Sequence, residues 1–190
     1  MLDLIAPTAH LRSSWLEAFR EWPVDGPGAR QDGAGPRLAP ENGPEGPEEF
    51  AAWTERLRGQ ADPAVPAAPG RVHATYLWIV EDDTYLGAAE LRHSLNDFLL
   101  EAGGHIGYSV RPSARRRGVA TRALAALLPR ARALGLDRVL LTCDEDNPGS
   151  ARTIERNGGV LEDIRSGPYG TRRRYWIDLD LDIDGPGRDQ

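Results

Sequence analysis

The feature that most constrains the fold of this chain is a strand that leads through an arginine-rich turn into a helix. Residues 105–110 alternate as a strand does, and residues 120–134 carry apolar side chains at helical spacing. The turn between them contains four arginines and ends at Gly118. A strand and a helix joined this closely predict a layered domain in which the helix packs on a sheet.

The remaining patterns predict a mixed α/β fold, α+β-like, in the order β-α-α-β-β-β-α-β-α-β-β with helices on both faces of a central sheet. We expect one domain over residues 1–181, which suits a chain of 190 residues. Residues 23–47 are rich in Gly and Pro and predict a long flexible loop, either a surface insertion or a lid over a substrate. Residues 182–190 are polar and predict a disordered tail.

Composition excludes several chemistries. All 23 basic residues are arginine, which excludes lysine Schiff bases and P-loop lysines. The single cysteine, Cys143, excludes an intrachain disulfide, no histidine spacing predicts a metal site, and we expect no metal. The net charge of -6 disfavours nucleic acid as a partner. Neither a signal peptide nor a membrane span is predicted, so we expect a cytoplasmic protein without a membrane partner.

The turn before the third predicted helix has the chemistry of an anion site. A helix N-terminus presents unsatisfied N–H groups and the positive end of the helix dipole. Gly118 would let a bulky anion approach this backbone closely, and four arginines lie within residues 111–117 of a chain that is acidic overall. The pattern favours a phosphate or pyrophosphate site, and a solvated basic turn is the alternative.

A family resemblance rests on this turn. Residues 115–120 read Arg-Arg-Arg-Gly-Val-Ala and match the [QR]-x-x-G-x-[GA] signature of the GCN5-related N-acetyltransferases (GNAT). Downstream, residues 147–150 read Asn-Pro-Gly-Ser and residues 157–159 read Asn-Gly-Gly, in the order and spacing of that family. The stretch 91–163 resembles a bacterial subgroup of predicted acetyltransferases. The resemblance implies the GNAT fold, whose central sheet splays after the strand at 105–110.

The resemblance also implies acetyl-coenzyme A as the cosubstrate. Its pyrophosphate would lie on the backbone amides of residues 117–121, with added charge from Arg115 and Arg116. Its pantetheine arm would pair like a strand beside residues 109–111.

Two downstream residues, Asn147 and Ser150, match family positions on the pantetheine side. Asn147 also has the pattern of a helix N-cap, and both roles can coexist. The residues expected to bind the cofactor are therefore Ser109, Val110, Arg111, Arg115, Arg116, Arg117, Gly118, Val119, Ala120, Thr121, Asn147 and Ser150.

Acetylation of an amine needs a base, because an alkylammonium titrates near about 10. It also needs a donor that polarises the thioester carbonyl. The resemblance implies that the backbone N–H of Val110 is this donor. Many family members use a tyrosine on the last helix as the general acid, and Ile154 stands at that position here. The acid role is therefore unassigned or left to water.

The candidate catalytic residues near the strand are His105, Tyr108 and Glu101, the last acting through water. Histidine titrates closest to neutral pH, so we expect His105→Ala to shift the acidic limb of the kcat/KM profile. Strand alternation puts His105 and Tyr108 on opposite faces, and the sequence does not decide which face meets the substrate. A structural role is the alternative for both residues.

Two classes of function follow. The first is an enzyme that transfers the acetyl group of acetyl-coenzyme A, by direct attack in a ternary complex, to a primary amine of a small molecule or to a protein N-terminus. The second is a catalytically silent coenzyme A-binding sensor or partner module, which Ile154 suggests. Residues 172–174, all arginine, predict a solvated strand edge or the lining of an acceptor site. A homodimer is an open possibility.

Overall fold

The computed structural model describes residues 1–22, 44 and 46–179. Most of the predicted loop at 23–47 and the whole predicted tail at 182–190 lie outside the described residues. The elements follow the predicted order: β1 (Leu2–Ile5), α1 (Arg12–Glu21), α2 (Pro47–Gly59), β2 (Ala74–Glu81), β3 (Thr84–Arg92), β4 (Ile106–Val110), α3 (Val119–Ala133), β5 (Arg138–Asp144), α4 (Pro148–Glu155), β6 (Val160–Gly167) and β7 (Gly170–Asp178).

The described strands form two antiparallel sheets. The first has the order β1-β2-β3-β4 and the second the order β5-β7-β6. β4 and β5 meet near their N-terminal ends, where the His105 N–H donates to the Leu140 carbonyl at 2.7 Å. Beyond that point no backbone ladder joins the two strands within the described ranges. The predicted fold class with its splayed sheet is confirmed, and the gap between the strands is called the β4–β5 opening below.

Two apolar clusters cover the two faces of the first sheet. On one face, called the α1–α2 face, aromatic side chains of both helices pack on β2, among them Trp15, Phe50, Trp53 and Trp78. On the other, called the α3–α4 face, aliphatic side chains of α3 and α4 pack on the alternate strand residues. Strand alternation thus gives each helix pair its own core, which fixes the ends of α3 and α4 beside β4.

A short π-helical turn (Leu99–Gly103) connects β3 to β4, and a 3-10 turn (Pro112–Ala114) follows β4. The first of these turns contacts β5, since Thr142 Oγ1 donates to the Ala102 carbonyl at 2.5 Å. No helix among the described residues has the length and apolar character needed to cross a bilayer.

Candidate active site

The turn before α3 has the backbone conformation of an anion-binding nest. Arg116 and Gly118 have φ angles of 60° and 74°, a region in which neighbouring N–H groups converge. Gly118 is the N-cap residue of α3, and no side chain caps the helix there. A Cβ atom at Gly118 would meet nothing within 4 Å. The start of α3 therefore has no side-chain cap and open space beside Gly118, and an anion binds at such a helix start.

The predicted cofactor arginines occupy different positions around this nest. Arg117 forms an ion pair with Glu81 at 2.9 Å. Arg115 folds back over the end of β4, where its Nε donates to the Val110 carbonyl at 3.1 Å. Arg116 is exposed. The turn therefore carries three arginines, of which Arg115 and Arg117 contact other parts of the protein.

β4 turns one backbone edge toward the β4–β5 opening. The Arg111 N–H donates to the Leu86 carbonyl at 2.7 Å on the β3 side. Because backbone N–H groups alternate in direction along a strand, the Val110 N–H points to the opposite edge. This is the orientation that polarisation of a carbonyl by Val110 requires.

Tyr108 and Ser150 lie across the opening from each other on the α3–α4 face. Their hydroxyl oxygens are 2.8 Å apart. Burial raises the pKa of Tyr108 to about 12, so the phenol is neutral at pH 7. Burial likewise raises the pKa of the Cys143 thiol to about 11. Cys143 is buried in the aliphatic cluster, as its strand context predicts.

Two asparagines make hydrogen bonds at the ends of α3 and α4, beside the β4–β5 opening. Asn147 Oδ1 accepts a hydrogen bond from the Ser150 N–H at 3.0 Å, which confirms the predicted N-cap of α4. Asn157 Nδ2 donates to the carbonyls of Thr153 at 2.8 Å and Thr121 at 3.3 Å. The second contact ties the end of α4 to the first turn of α3, whereas the sequence singles out residue 157 only as the beginning of a helix stop.

His105 joins the two sheets. Its Nδ1 accepts a hydrogen bond from the Leu140 N–H at 2.9 Å, in addition to the backbone bond between the same residues. The neutral ring therefore carries its proton on Nε2. The side chain is 6% exposed, and burial, with the positive charge of Arg92, lowers its pKa to about 4. His105 is neutral at pH 7, and protonation would break the bond to Leu140.

Glu101 is on the surface, at the π-helical turn. Its carboxylate pairs with Arg165 of β6 at 3.1 Å, and its side chain is 53% exposed. A second contact alongside it joins Phe98 and Tyr169, whose ring centroids are 4.8 Å apart. Glu101 thus connects the segment before β4 to the β6–β7 hairpin.

A buried ion pair on the α1–α2 face is absent from the sequence-based candidates. Arg92 Nη2 donates to Glu90 Oε2 at 2.7 Å, and both side chains are 8% exposed. The Tyr76 hydroxyl donates to Glu90 Oε1 at 2.7 Å. Arg92 Nη1 also donates to the carbonyls of Gly103 and Gly104, at 2.7 and 2.8 Å. Two opposite charges two residues apart in an apolar strand were the available sequence signal.

The guanidinium of Arg111 contacts α1. Glu21 accepts hydrogen bonds from Arg111 Nε at 2.9 Å and from Nη2. The same carboxylate accepts from the Ser113 N–H and Oγ, each at 2.9 Å. Burial alone would raise the pKa of Glu21, but the hydrogen bonds from Arg111 and Ser113 lower it overall. The side chain of Arg111 therefore links α1 to the turn, while its backbone N–H is bonded to Leu86 of β3.

A comparison with protein families decides the identity of the chain. The family described as an acetyltransferase (GNAT) domain matches residues 29–160, more than half of the sequence. The chain belongs to the GNAT acetyltransferase family. The resemblance that rests on residues 115–120 and the predicted family fold are confirmed.

Solved acetyltransferases share the fold of this GNAT protein. RimL, a ribosomal L7/L12 α-N-protein acetyltransferase in complex with coenzyme A, is 19% identical with a TM-score of 0.64, over 95% of this chain and 96% of that chain. The aminoglycoside acetyltransferase AAC(6')-Ib, also with coenzyme A, is 15% identical with a TM-score of 0.62, over 94% and 95%. A spermidine N-acetyltransferase chimera that includes the Vibrio cholerae enzyme is 16% identical with a TM-score of 0.59, over 94% and 95%.

These identities are low, so the similarity establishes the fold. No curated protein sequence matches the chain significantly. The three solved enzymes act on a protein, an aminoglycoside and a polyamine by their names. The family fold therefore accommodates several kinds of amine, and the acceptor has to be argued from the residues of this chain.

Two residues of this GNAT acetyltransferase depart from simple expectations. Ile154 is fully buried in the aliphatic cluster and acts as a packing residue. The prediction of a solvated edge is wrong for Arg174, which is 2% exposed and pairs with Glu162 at 2.9 Å and Asp163 at 3.3 Å. Strand alternation turns this arginine inward, where the two carboxylates of β6 neutralise it.

Proposed function

We propose that this chain transfers the acetyl group of acetyl-coenzyme A to a primary amine of a small molecule, by direct attack within a ternary complex. The observation that carries the proposal is the juxtaposition of the nest at Gly118 with the β4–β5 opening. An anion held at the nest lies at the end of β4, and a chain attached to that anion enters the opening beside the free edge of this strand.

The residues of the chain fit coenzyme A. The amides of residues 117–121 would hold its pyrophosphate, because Gly118 leaves their approach open. The free edge of β4 at residues 109–111 would pair with the amides of its pantetheine arm. Asn147 and Ser150 would flank this arm from the start of α4. When bound, acetyl-coenzyme A supplies an activated thioester for attack by the amine.

Carbonyl polarisation is assigned to Val110. Its N–H points to the free edge of β4, and a preorganised N–H donor stabilises negative charge that develops on an oxygen. The donor belongs to a strand that is hydrogen-bonded to β3 on its other edge. It therefore needs no reorganisation during the reaction.

Stabilisation of the departing thiolate is assigned to Tyr108 together with Ser150. The pKa of Tyr108 is raised to about 12, well above the ordinary value of about 8.5 for a thiol. Full transfer of the phenol proton to a thiolate is therefore uphill. A hydrogen bond from the Tyr108–Ser150 pair to the sulfur, with the proton supplied from solvent, has no such cost. The pair would fill the role that Ile154 cannot.

Two residues are candidates for the base that removes the amine proton. Neutral His105 lies at the N-terminal end of the opening, but its basic Nδ1 is already used by the Leu140 N–H. We therefore propose a positioning role for His105, and its action as a base stays a prediction. Glu101 lies half-exposed in the π-helical turn before β4. It stays the candidate for a relay through water. The pH profile of a His105 variant separates the two.

Two measurements test the proposed function. Calorimetry with coenzyme A tests binding, and release of free thiol from acetyl-coenzyme A over a panel of amines tests transfer. We expect micromolar binding, of the order of -8 kcal/mol, and turnover with at least one small primary amine. Turnover restricted to peptides with a free N-terminus would favour a protein N-terminal acetyltransferase. Binding without turnover would favour the silent module, for which the buried Ile154 is the supporting observation.

A further inference from the structure

The side chain of Arg117 connects the nest to the β2–β3 hairpin. Arg117 lies between Arg116 and Gly118, whose φ angles are both positive, so its N–H is one of the amides that would hold the pyrophosphate. Its guanidinium, however, pairs with Glu81, with 2.9 Å between Nη2 and Oε2. The backbone of this arginine thus belongs to the anion site, while its charge is engaged by a carboxylate of the protein.

Glu81 is held in place by the first sheet. It is the last residue of β2, and its backbone pairs with Leu2 of β1 on one side and with Thr84 of β3 on the other. Its side chain is 25% exposed, whereas that of Arg117 is 52% exposed. The carboxylate is therefore the more constrained member of the ion pair, and the arginine is the member with more freedom to change partners.

The three arginines at residues 115–117 differ in their contacts. Within the described part of the chain, Arg117 alone of the three forms an ion pair. Arg115 donates to an uncharged acceptor, the Val110 carbonyl, and so keeps its full charge. Arg116 is exposed and has no acidic partner among the described residues. Two of the three charges are therefore uncompensated, and Glu81 neutralises the third.

A diphosphate at the nest would compete with Glu81 for the guanidinium of Arg117. Hydrogen bonds from a guanidinium to a phosphate are charge-assisted and strong, as are those to a carboxylate. Arg117 can turn toward a bound diphosphate only if its ion pair with Glu81 weakens or breaks. The cost of separating this pair lowers the net gain from the new contact, so the carboxylate reduces the affinity of the nest for anions.

We propose that Glu81 is an internal counter-ion of Arg117, which weakens the binding of coenzyme A at the nest and so speeds release of the product. The proposal rests on the proposed function and adds to it a control of cofactor affinity. After each transfer the protein must release coenzyme A, and product release limits the turnover of many enzymes. A more weakly held product leaves sooner, because affinity differences between related complexes lie mostly in the dissociation rate.

The test is the calorimetric Kd of Glu81→Gln for coenzyme A. Glutamine keeps the length of the side chain and an oxygen that accepts from Arg117, and it removes the charge. We expect the Kd to fall about fivefold, as the loss of one competing exposed ion pair allows. The dissociation rate, measured by surface plasmon resonance with immobilised protein, should fall by a similar factor. An unchanged Kd, or one that rises as it would if Glu81 supported the turn, would overturn the proposal.

Asp83→Asn is the matched control for the loss of one negative charge. Asp83 lies in the same hairpin turn, is exposed, and forms no ion pair in the ranges that the structure describes. Its φ is 59°, a conformation that asparagine adopts readily. Because salt screens exposed charges, we expect this variant to change the Kd less than about twofold. A similar decrease in Glu81→Gln and Asp83→Asn would reflect the overall charge and would overturn the proposal.

The part played by Arg117 is tested by removing its charge. In the Arg117→Gln background, Glu81→Gln should change the Kd less than about twofold, because the proposed effect needs the guanidinium. A decrease as large as in the wild-type background would mean that Glu81 repels the cofactor directly, and the counter-ion role would be overturned. The decrease caused by Glu81→Gln alone should also shrink in about 0.5 M NaCl, where screening weakens contacts between exposed charges.

Inorganic pyrophosphate separates this proposal from the proposed function. If wild type binds no coenzyme A, the proposed function fails, and pyrophosphate becomes the calorimetric probe. Tighter binding of pyrophosphate by Glu81→Gln, but not by Asp83→Asn, would then support the counter-ion at the nest, and equal binding by all three proteins would overturn it. If wild type acetylates an amine while Glu81→Gln leaves the Kd for coenzyme A unchanged, the proposed function stands and the counter-ion fails.

Discussion

Glu21, the last residue of α1, binds the guanidinium of Arg111 where β4 ends, although 90 positions separate them in the sequence. The same carboxylate holds both the N–H and the hydroxyl of Ser113. One side chain on the α1–α2 face therefore fixes the backbone that leads from β4 to the nest. The geometry of the cofactor turn depends on a helix that packs on the opposite side of the sheet from α3.

We predict that Glu21→Gln raises the Kd for coenzyme A about fivefold and lowers the Tm, because the charge-assisted bonds to Arg111 weaken. Glu17→Gln, one turn earlier on the exposed side of α1, is the control and should change neither. The pKa of Glu21 is lowered in the fold, so its contribution persists below the ordinary glutamate pKa and is lost as the pH falls through the lowered value. Equal effects of the two substitutions on the Kd would contradict the prediction.

The nest gives a prediction with a control at the other end of the same helix. Gly118 and Gly135 flank α3 with φ angles of 74° and 80°, and a Cβ at either would meet nothing within 4 Å. Valine at either position should therefore cost a similar 1–3 kcal/mol of backbone strain, roughly. We expect Gly118→Val, but not Gly135→Val, to raise the calorimetric Kd for coenzyme A at least about tenfold. An equal increase of this Kd in both variants would show that the anion does not bind at Gly118.

The turn before α3 and the cap of α4 could be predicted from the sequence because their signals are local. Asn147 caps α4 through a residue three positions away, and Gly118 has a positive φ, which glycine adopts without strain. These features depend on neighbours along the chain. The signature at residues 115–120, together with the downstream motifs at residues 147–150 and 157–159, was therefore enough to indicate the family.

The buried polar contacts of Glu90, Arg92 and His105 could not be predicted because they join distant segments. In the sequence, Glu90 and Arg92 are two charges in a buried strand with no evident partner besides each other. Only the strand register places Tyr76 opposite Glu90. His105 has the chemistry of a base in the sequence, and its bond to Leu140, 35 positions away, is visible only once the two sheets meet. Alternation predicted opposite faces for consecutive residues, but the packing of the helices decided which face is which.

The Tyr108 hydroxyl provides a test of leaving-group stabilisation. We predict that Tyr108→Phe lowers kcat about 10- to 100-fold, the effect of losing a hydrogen bond to a charged group, with little change in the KM for the amine. Because the pKa of Tyr108 is raised to about 12, this ratio should stay constant from pH 7 to 10. Tyr175→Phe, which removes a hydroxyl bonded to Glu155, is the control. A decrease in kcat of less than about threefold would mean that water, and not Tyr108, stabilises the departing thiolate.

Acid should weaken the contact between the two sheets, because protonation of His105 breaks its hydrogen bond to Leu140. Its pKa is about 4 in the fold and about 6.5 in an unfolded chain, so the unfolded state binds a proton first as the pH falls. The free energy of unfolding should therefore decrease by up to about 3 kcal/mol between pH 6.5 and 4. His105→Asn keeps an acceptor for the Leu140 N–H and has no titrating group, so its denaturant midpoint should vary less over this range. The kcat/KM profile of the same variant should keep its acidic limb if His105 positions the strands, whereas a displaced limb would assign the base to His105.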